Sequence, residues 1–179
     1  PQGEDDDDDD ADADEDDADE DDQPEPFEDV EGEEEEERKT RARLVIIRLR
    51  DEAFASDPHF KKRTVAQLNA EAVAFLKKGD DLRCVAAFAK VFRKLRDNHL
   101  VHKDLHVCHS NRAAAYLNLG LFEEALWDAM RCQKLADERF WRDRDAISVA
   151  PIYVKAFARR GFALMGLRNP RQAKLEFEK

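Results

Sequence analysis

The chain has 179 residues and a formal charge of −12, enough for one domain and an appended segment. The net value hides a split. Residues 1–40 hold 25 of the 42 Asp and Glu but 2 of the 30 Lys and Arg, so they carry −23 against +11 in the remainder. No run of about 18 apolar residues occurs, which excludes an apolar membrane-spanning helix.

In chain order, residues 1–40 come first, with six consecutive aspartates (Asp5 to Asp10) and five consecutive glutamates (Glu33 to Glu37). Like charges repel and there is nothing to bury, so a disordered polyacidic tail is expected over 1–40, with Glu31 to Arg38 able to fray into the next helix. An acidic N-terminus is the reverse of a basic-then-apolar leader. The three cysteines, Cys84, Cys108 and Cys132, are odd in number and lack Cys-x-x-Cys spacing. Both features fit reduced thiols and a cytoplasmic location, with the nucleus as the alternative.

Arg41 to Arg50 mix β-branched apolar residues with four arginines. A basic linker or capping helix is expected over 41–64, its helix ending before Asp57-Pro58. Beyond it, Ser110 to Asp137 read as one complete helix–turn–helix unit. Ala113 to Ala115 let two helices approach, and Tyr116 adds bulk. Gly120 permits the turn, and Ala125 restores close packing.

The same frame recurs on both sides. Turns fall at Gly79, Gly120 and Arg168, and small contacts at Cys84, Ala125 and Ala173. Second-helix positions are Phe88, Ala129 and Phe177. The offsets of 41 and 48 residues place lengthened ends or loops at Arg96 to Leu105 and Glu138 to Ala150. A single unit buries its apolar face only against neighbours.

This pattern resembles the tetratricopeptide repeat family over residues 65–179. The resemblance implies an all-α solenoid of helical hairpins, with repeats at about 65–98, 104–137 and 151–179, the last cut short at Lys179. It also implies a scaffold that binds protein, with no enzymatic activity. Consistent with this, the sequence shows no nucleophile elbow, phosphate loop or Gly-rich cofactor motif, and no cofactor is expected.

Asn111 and Arg112 before Ala113-Ala114-Ala115-Tyr116, with Lys155 and Arg159 four apart, resemble a subset of the family. These are co-chaperones whose carboxylate clamp holds the EEVD tails of cytosolic heat-shock chaperones. The resemblance implies a peptide site at Asn69, Asn111, Arg112, Lys155 and Arg159. Val73 stands where that clamp has an asparagine and is unable to donate a hydrogen bond. The expected partner is therefore an acidic or C-terminal peptide, with a chaperone tail as one example. A solvated basic face explains Lys155 and Arg159 equally simply, and a cap or inter-helix hydrogen bond explains Asn111.

Two further clusters have plainer readings. His99, His102, His106 and His109 would share one stripe of a continuous helix, a spacing able to hold zinc or copper. Structural or solvent-facing histidines are the expectation, and no metal is assigned. The basic clusters Lys61-Lys62-Arg63 and Arg93-Lys94-Leu95-Arg96 lack aromatic interleaving in sequence, which disfavours nucleic acid. A structural subunit of a ciliary, ribonucleoprotein or histone-handling assembly is the competing reading. In the leading reading the −23 tail, tethered to a +11 body, competes with an acidic ligand for the basic groove.

Overall fold

A computed structural model describes residues 30–55, 57, 59–98, 104–140 and 151–179. Among these the chain is all-helical, with seven helices and no strand. They are α1 (Val30–Ala55), α2 (Val65–Lys77), α3 (Asp81–Asp97), α4 (Leu105–Asn118), α5 (Phe122–Phe140), α6 (Pro151–Gly166) and α7 (Pro170–Phe177). The pairs α2–α3, α4–α5 and α6–α7 are hairpins, and α2, α4 and α6 touch in succession. The second helices α3 and α5 also pack on the first helix of the next hairpin.

The three hairpin turns are one structure repeated. Gly79, Gly120 and Arg168 have φ of 73°, 72° and 56°. In each turn that residue donates its N–H to the carbonyl three before it (Leu76, Leu117, Met165; 3.1, 3.0 and 3.0 Å). The following residue donates to the carbonyl five before it (Phe75, Tyr116, Leu164; 3.0, 2.9 and 2.8 Å). This paired pattern closes a helix whose last carbonyls would otherwise lack donors. Its left-handed residue is nearly free for glycine and strained for arginine.

The starts are capped too. Thr64 and Gln67 form a reciprocal capping box, Asp80 accepts from the Arg83 N–H, and Asn169 accepts from Gln172 ahead of Pro170. Behind each turn sits a fully buried small residue, Cys84, Ala125 or Ala173. Phe88, also fully buried, anchors the core with Leu68, Val91, Cys108 and Ala115. In the third hairpin the equivalent Phe177 is 49 % exposed and leans edge-on against Phe162, its ring filling the space where a side chain at Gly161 would stand.

Helix α1 begins ten residues before the end of the expected tail. Residues 30–40 are helical because Glu35 and Glu37 lie one turn before Lys39 and Arg41 and pair with them at 3.0 and 2.9 Å. Acidic residues at the start of a helix also suit its dipole. The helix packs on α3 through Ile46 and Leu49 and exposes Leu44 and Ile47. Residues 1–29 lie outside the described residues, as do His99 and His102 of the histidine stripe. The expected insertions are partly helix: α3 runs to Asp97 and α5 to Phe140.

The three thiols are buried packing groups. Burial pushes Cys84 up to about 12 and Cys108 up to about 11, and it raises Cys132 as well.

Two predictions follow from these turns and thiols. Gly120→Ala meets only ordinary contact at its new Cβ, so its loss of roughly 1–2 kcal/mol comes from backbone strain alone. Arg168→Gly relieves that strain and gains about 0.5–1 kcal/mol, both read as shifts in urea midpoint. The folded thiols hold their protons at a pH where the unfolded chain releases them. Stability is therefore full below about pH 9 and falls as pH rises toward about 12. Cys84→Ala flattens that fall in urea melts taken across the alkaline range.

Candidate functional site

Arg112 is fixed by an acid on the neighbouring helix. The face of α5 that meets α4 reads Ala125, Asp128, Ala129, Cys132 and, like Leu121 just before the helix, is buried throughout. Asp128, at 0 % exposure, accepts from Arg112 Nε at 2.6 Å and from Arg112 Nη2 at 2.8 Å. His109 Nδ1 lies 2.7 Å from the same carboxylate. The Arg112 guanidinium stacks 4.3 Å from the centre of the Phe92 ring, and the His109 ring lies 4.6 Å from Phe92. Burial opposes the charge on Arg112, but Asp128 outweighs it and holds the guanidinium above its ordinary pKa.

Arg159 has the opposite surroundings. It is half-buried on α6 and donates through Nη1 to the Ser110 hydroxyl of α4. Among the described residues no carboxylate pairs with it. Burial therefore pulls its pKa below the ordinary arginine value. Ser110 is the neighbour of Asn111, so Arg159 reaches α4 beside Asn111. Lys155 lies one turn earlier on α6, exposed and without an ion pair among the described residues. Asn69 of α2 is half-buried, and its Oδ1 accepts from the Cys108 thiol of α4 at 3.5 Å. Val73 is half-buried against the core.

Of the five residues read from the sequence, Asn69 and Arg159 thus flank α4 from α2 and α6, with Lys155 one turn from Arg159 and Asn111 next in sequence to its partner Ser110. Arg112 belongs to the internal pair with Asp128. Sequence reading missed Asp128 and Ser110. The signal for Asp128 was present: an acid three positions after Ala125 and four before Cys132 lies on an apolar stripe and needs a cation.

Other polar groups complete the region. Arg160, beside Arg159, pairs with Glu176 at 2.8 Å and bonds Gln133. Tyr153 donates to Asp137 at 2.8 Å, and burial with that bond raises its pKa. His106 and His109 are buried on α4, and among the described residues no group of His, Cys, Asp and Glu is arranged to hold a metal ion. Among them, too, no helix is long and apolar enough to cross a membrane.

Against known proteins, no family model matches the chain, and neither does any curated protein or solved structure.

The two arginines should separate under mutation. Arg112→Ala leaves Asp128 buried without its cation and costs roughly 3–5 kcal/mol in urea unfolding. Arg159→Ala leaves no buried carboxylate unpaired and costs about 1 kcal/mol or less in the same melts.

Proposed function

We propose that the chain is a non-enzymatic adaptor of the tetratricopeptide type that holds an acidic or C-terminal peptide along α2, α4 and α6. The half-buried guanidinium of Arg159, without a carboxylate partner among the described residues, carries this reading. A half-buried cation whose hydrogen-bond partner among the described residues is a hydroxyl gains a charge-assisted bond when a carboxylate arrives. Lys155 supplies a second positive charge one turn away, and Asn111 an amide donor. Three hairpins with a common turn geometry support the repeat assignment. The first helices that touch in succession supply the surface on which an extended ligand can lie.

The grip on a terminal carboxylate is weaker than that of the co-chaperones the sequence resembles. Val73 offers no donor, and Arg112 is neutralised by Asp128. Such a site accepts acidic peptides with less dependence on one terminal group. Heat-shock chaperone tails remain the first ligands to try, and a cytoplasmic adaptor the simplest setting. Docking as a subunit of a larger assembly is favoured by a separate observation: Phe162, Met165 and Leu175 are large apolar side chains exposed on α6 and α7.

Peptides ending in EEVD, as free acids and as C-terminal amides, should be titrated against the full chain by calorimetry. Arg159→Ala is expected to weaken the free acid about 10–100-fold, the worth of one hydrogen bond to a charged group. Amidation is expected to weaken it by less. Binding that survives Arg159→Ala undiminished sinks the proposal.

A further inference from the structure

A second cationic surface lies between α1, α3 and α4, and of the five site residues read from the sequence it includes Arg112 alone. It is a cavity of about 570 Å³ lined by Arg50, Phe54, Phe92, Arg93, Arg96 and Arg112, with Asp51 and Asp97 at its edge. The rings hold the guanidinium groups. Arg93 stacks 4.5 Å from the centre of Phe54, as Arg112 stacks on Phe92. Aromatic and basic side chains far apart in sequence therefore interleave in space. Arg112 is committed to Asp128, which leaves Arg50, Arg93 and Arg96 to meet a ligand. Their own partners are weak. Asp51 pairs with its neighbour Arg50 at 3.0 Å, and Asp97 lies 3.4 and 3.6 Å from Arg93 and Arg96. Exposed pairs of this kind contribute about 0–1 kcal/mol and yield to a better acceptor.

We propose that this arginine cleft is the docking surface for the acidic segment 4–22 of the same chain. Residues 1–29 hold 19 acidic and no basic side chains. They join the body at Val30, the first residue of the helix that forms one wall of the cleft. Along α1, Val30 and Arg50 are 20 residues apart, roughly 30 Å. The same number of residues of chain can extend to about 70 Å, so Asp5 to Asp10 reach the cleft with length to spare. Tethering makes their effective concentration high without any new contact. Asn111, Lys155 and Arg159 do not line the cleft, so a segment held there leaves them to a peptide ligand. This inference does not rest on that site.

The buried native thiols permit a clean test. Ala11→Cys carries a nitroxide in the full chain, and amide signals are compared at low salt and at about 1 M salt, where charges are screened within ~3 Å. Amides of Ala89, Arg93, Arg96 and Phe54 are expected to lose intensity at low salt and recover it at high salt. They are also expected to recover it in the exposed double variant Arg93→Gln/Arg96→Gln, whose melting temperature stays unchanged. Added poly-aspartate peptide should restore them in the same way. The proposal is overturned by low-salt loss centred on Lys155 and Arg159, by loss that grows with protein concentration, or by loss that the double variant leaves intact. An absence of loss at low salt overturns it equally.

Discussion

Asp128 is the constraint on which both the packing of α4 against α5 and the character of the candidate site depend. Its carboxylate is fully buried on a stripe of small residues, and an isolated charge there costs several kcal/mol. Arg112 and His109, one turn apart on α4, meet it at once. That requirement sets the rotation of α4 about its axis. With residues 109 and 112 turned toward Asp128, Ser110 on another side of the helix meets Arg159. The Phe92 ring, laid on the Arg112 guanidinium, carries the same constraint into α3. One buried acid therefore orients donors in two directions, toward α6 and toward the cleft beneath α1.

The hairpin frame was legible in sequence because its turns make a chemical demand. A left-handed residue with two returning hydrogen bonds selects glycine, as at Gly79 and Gly120. At Arg168 the demand is the same and the residue is wrong, but Asn169-Pro170 still marks the boundary. The positions behind the turns were legible for a similar reason, since Cys84, Ala125 and Ala173 are interchangeable only where size matters. The thiol at Cys84 is thus a packing group, as its alkaline shift by burial shows.

The extent of α1 was legible only as a helix into which Glu31 to Arg38 could fray, for an equally physical reason. Glu33 to Glu37 read as a run of repelling charges until Lys39 and Arg41 are placed one turn later. Composition then pointed to disorder where periodic pairing makes helix. Contacts from the far ends of long side chains were hidden as well. Arg43 bonds Glu124 at 2.6 Å across 81 residues, and no local pattern encodes that. The two rings that hold arginines of the cleft, Phe54 and Phe92, take guanidinium groups 39 and 20 residues further along the chain, so no interleaving shows along the sequence.

Arg112 and Arg159 show why residue type alone does not define a binding site. Both are arginines on first helices, and both are at least half-buried. A carboxylate sixteen residues after Arg112 raises its pKa and uses two of its donors, whereas Arg159 meets a hydroxyl and is pulled below the ordinary value. The first arrangement is complete, and a ligand that took Arg112 would strand Asp128. The second is incomplete among the described residues, where burial has removed water from a cation without supplying an anion. Opposed charge is what Arg159 lacks among the described residues. That deficit holds whether the ligand is a chaperone tail or the acidic segment of an assembly partner.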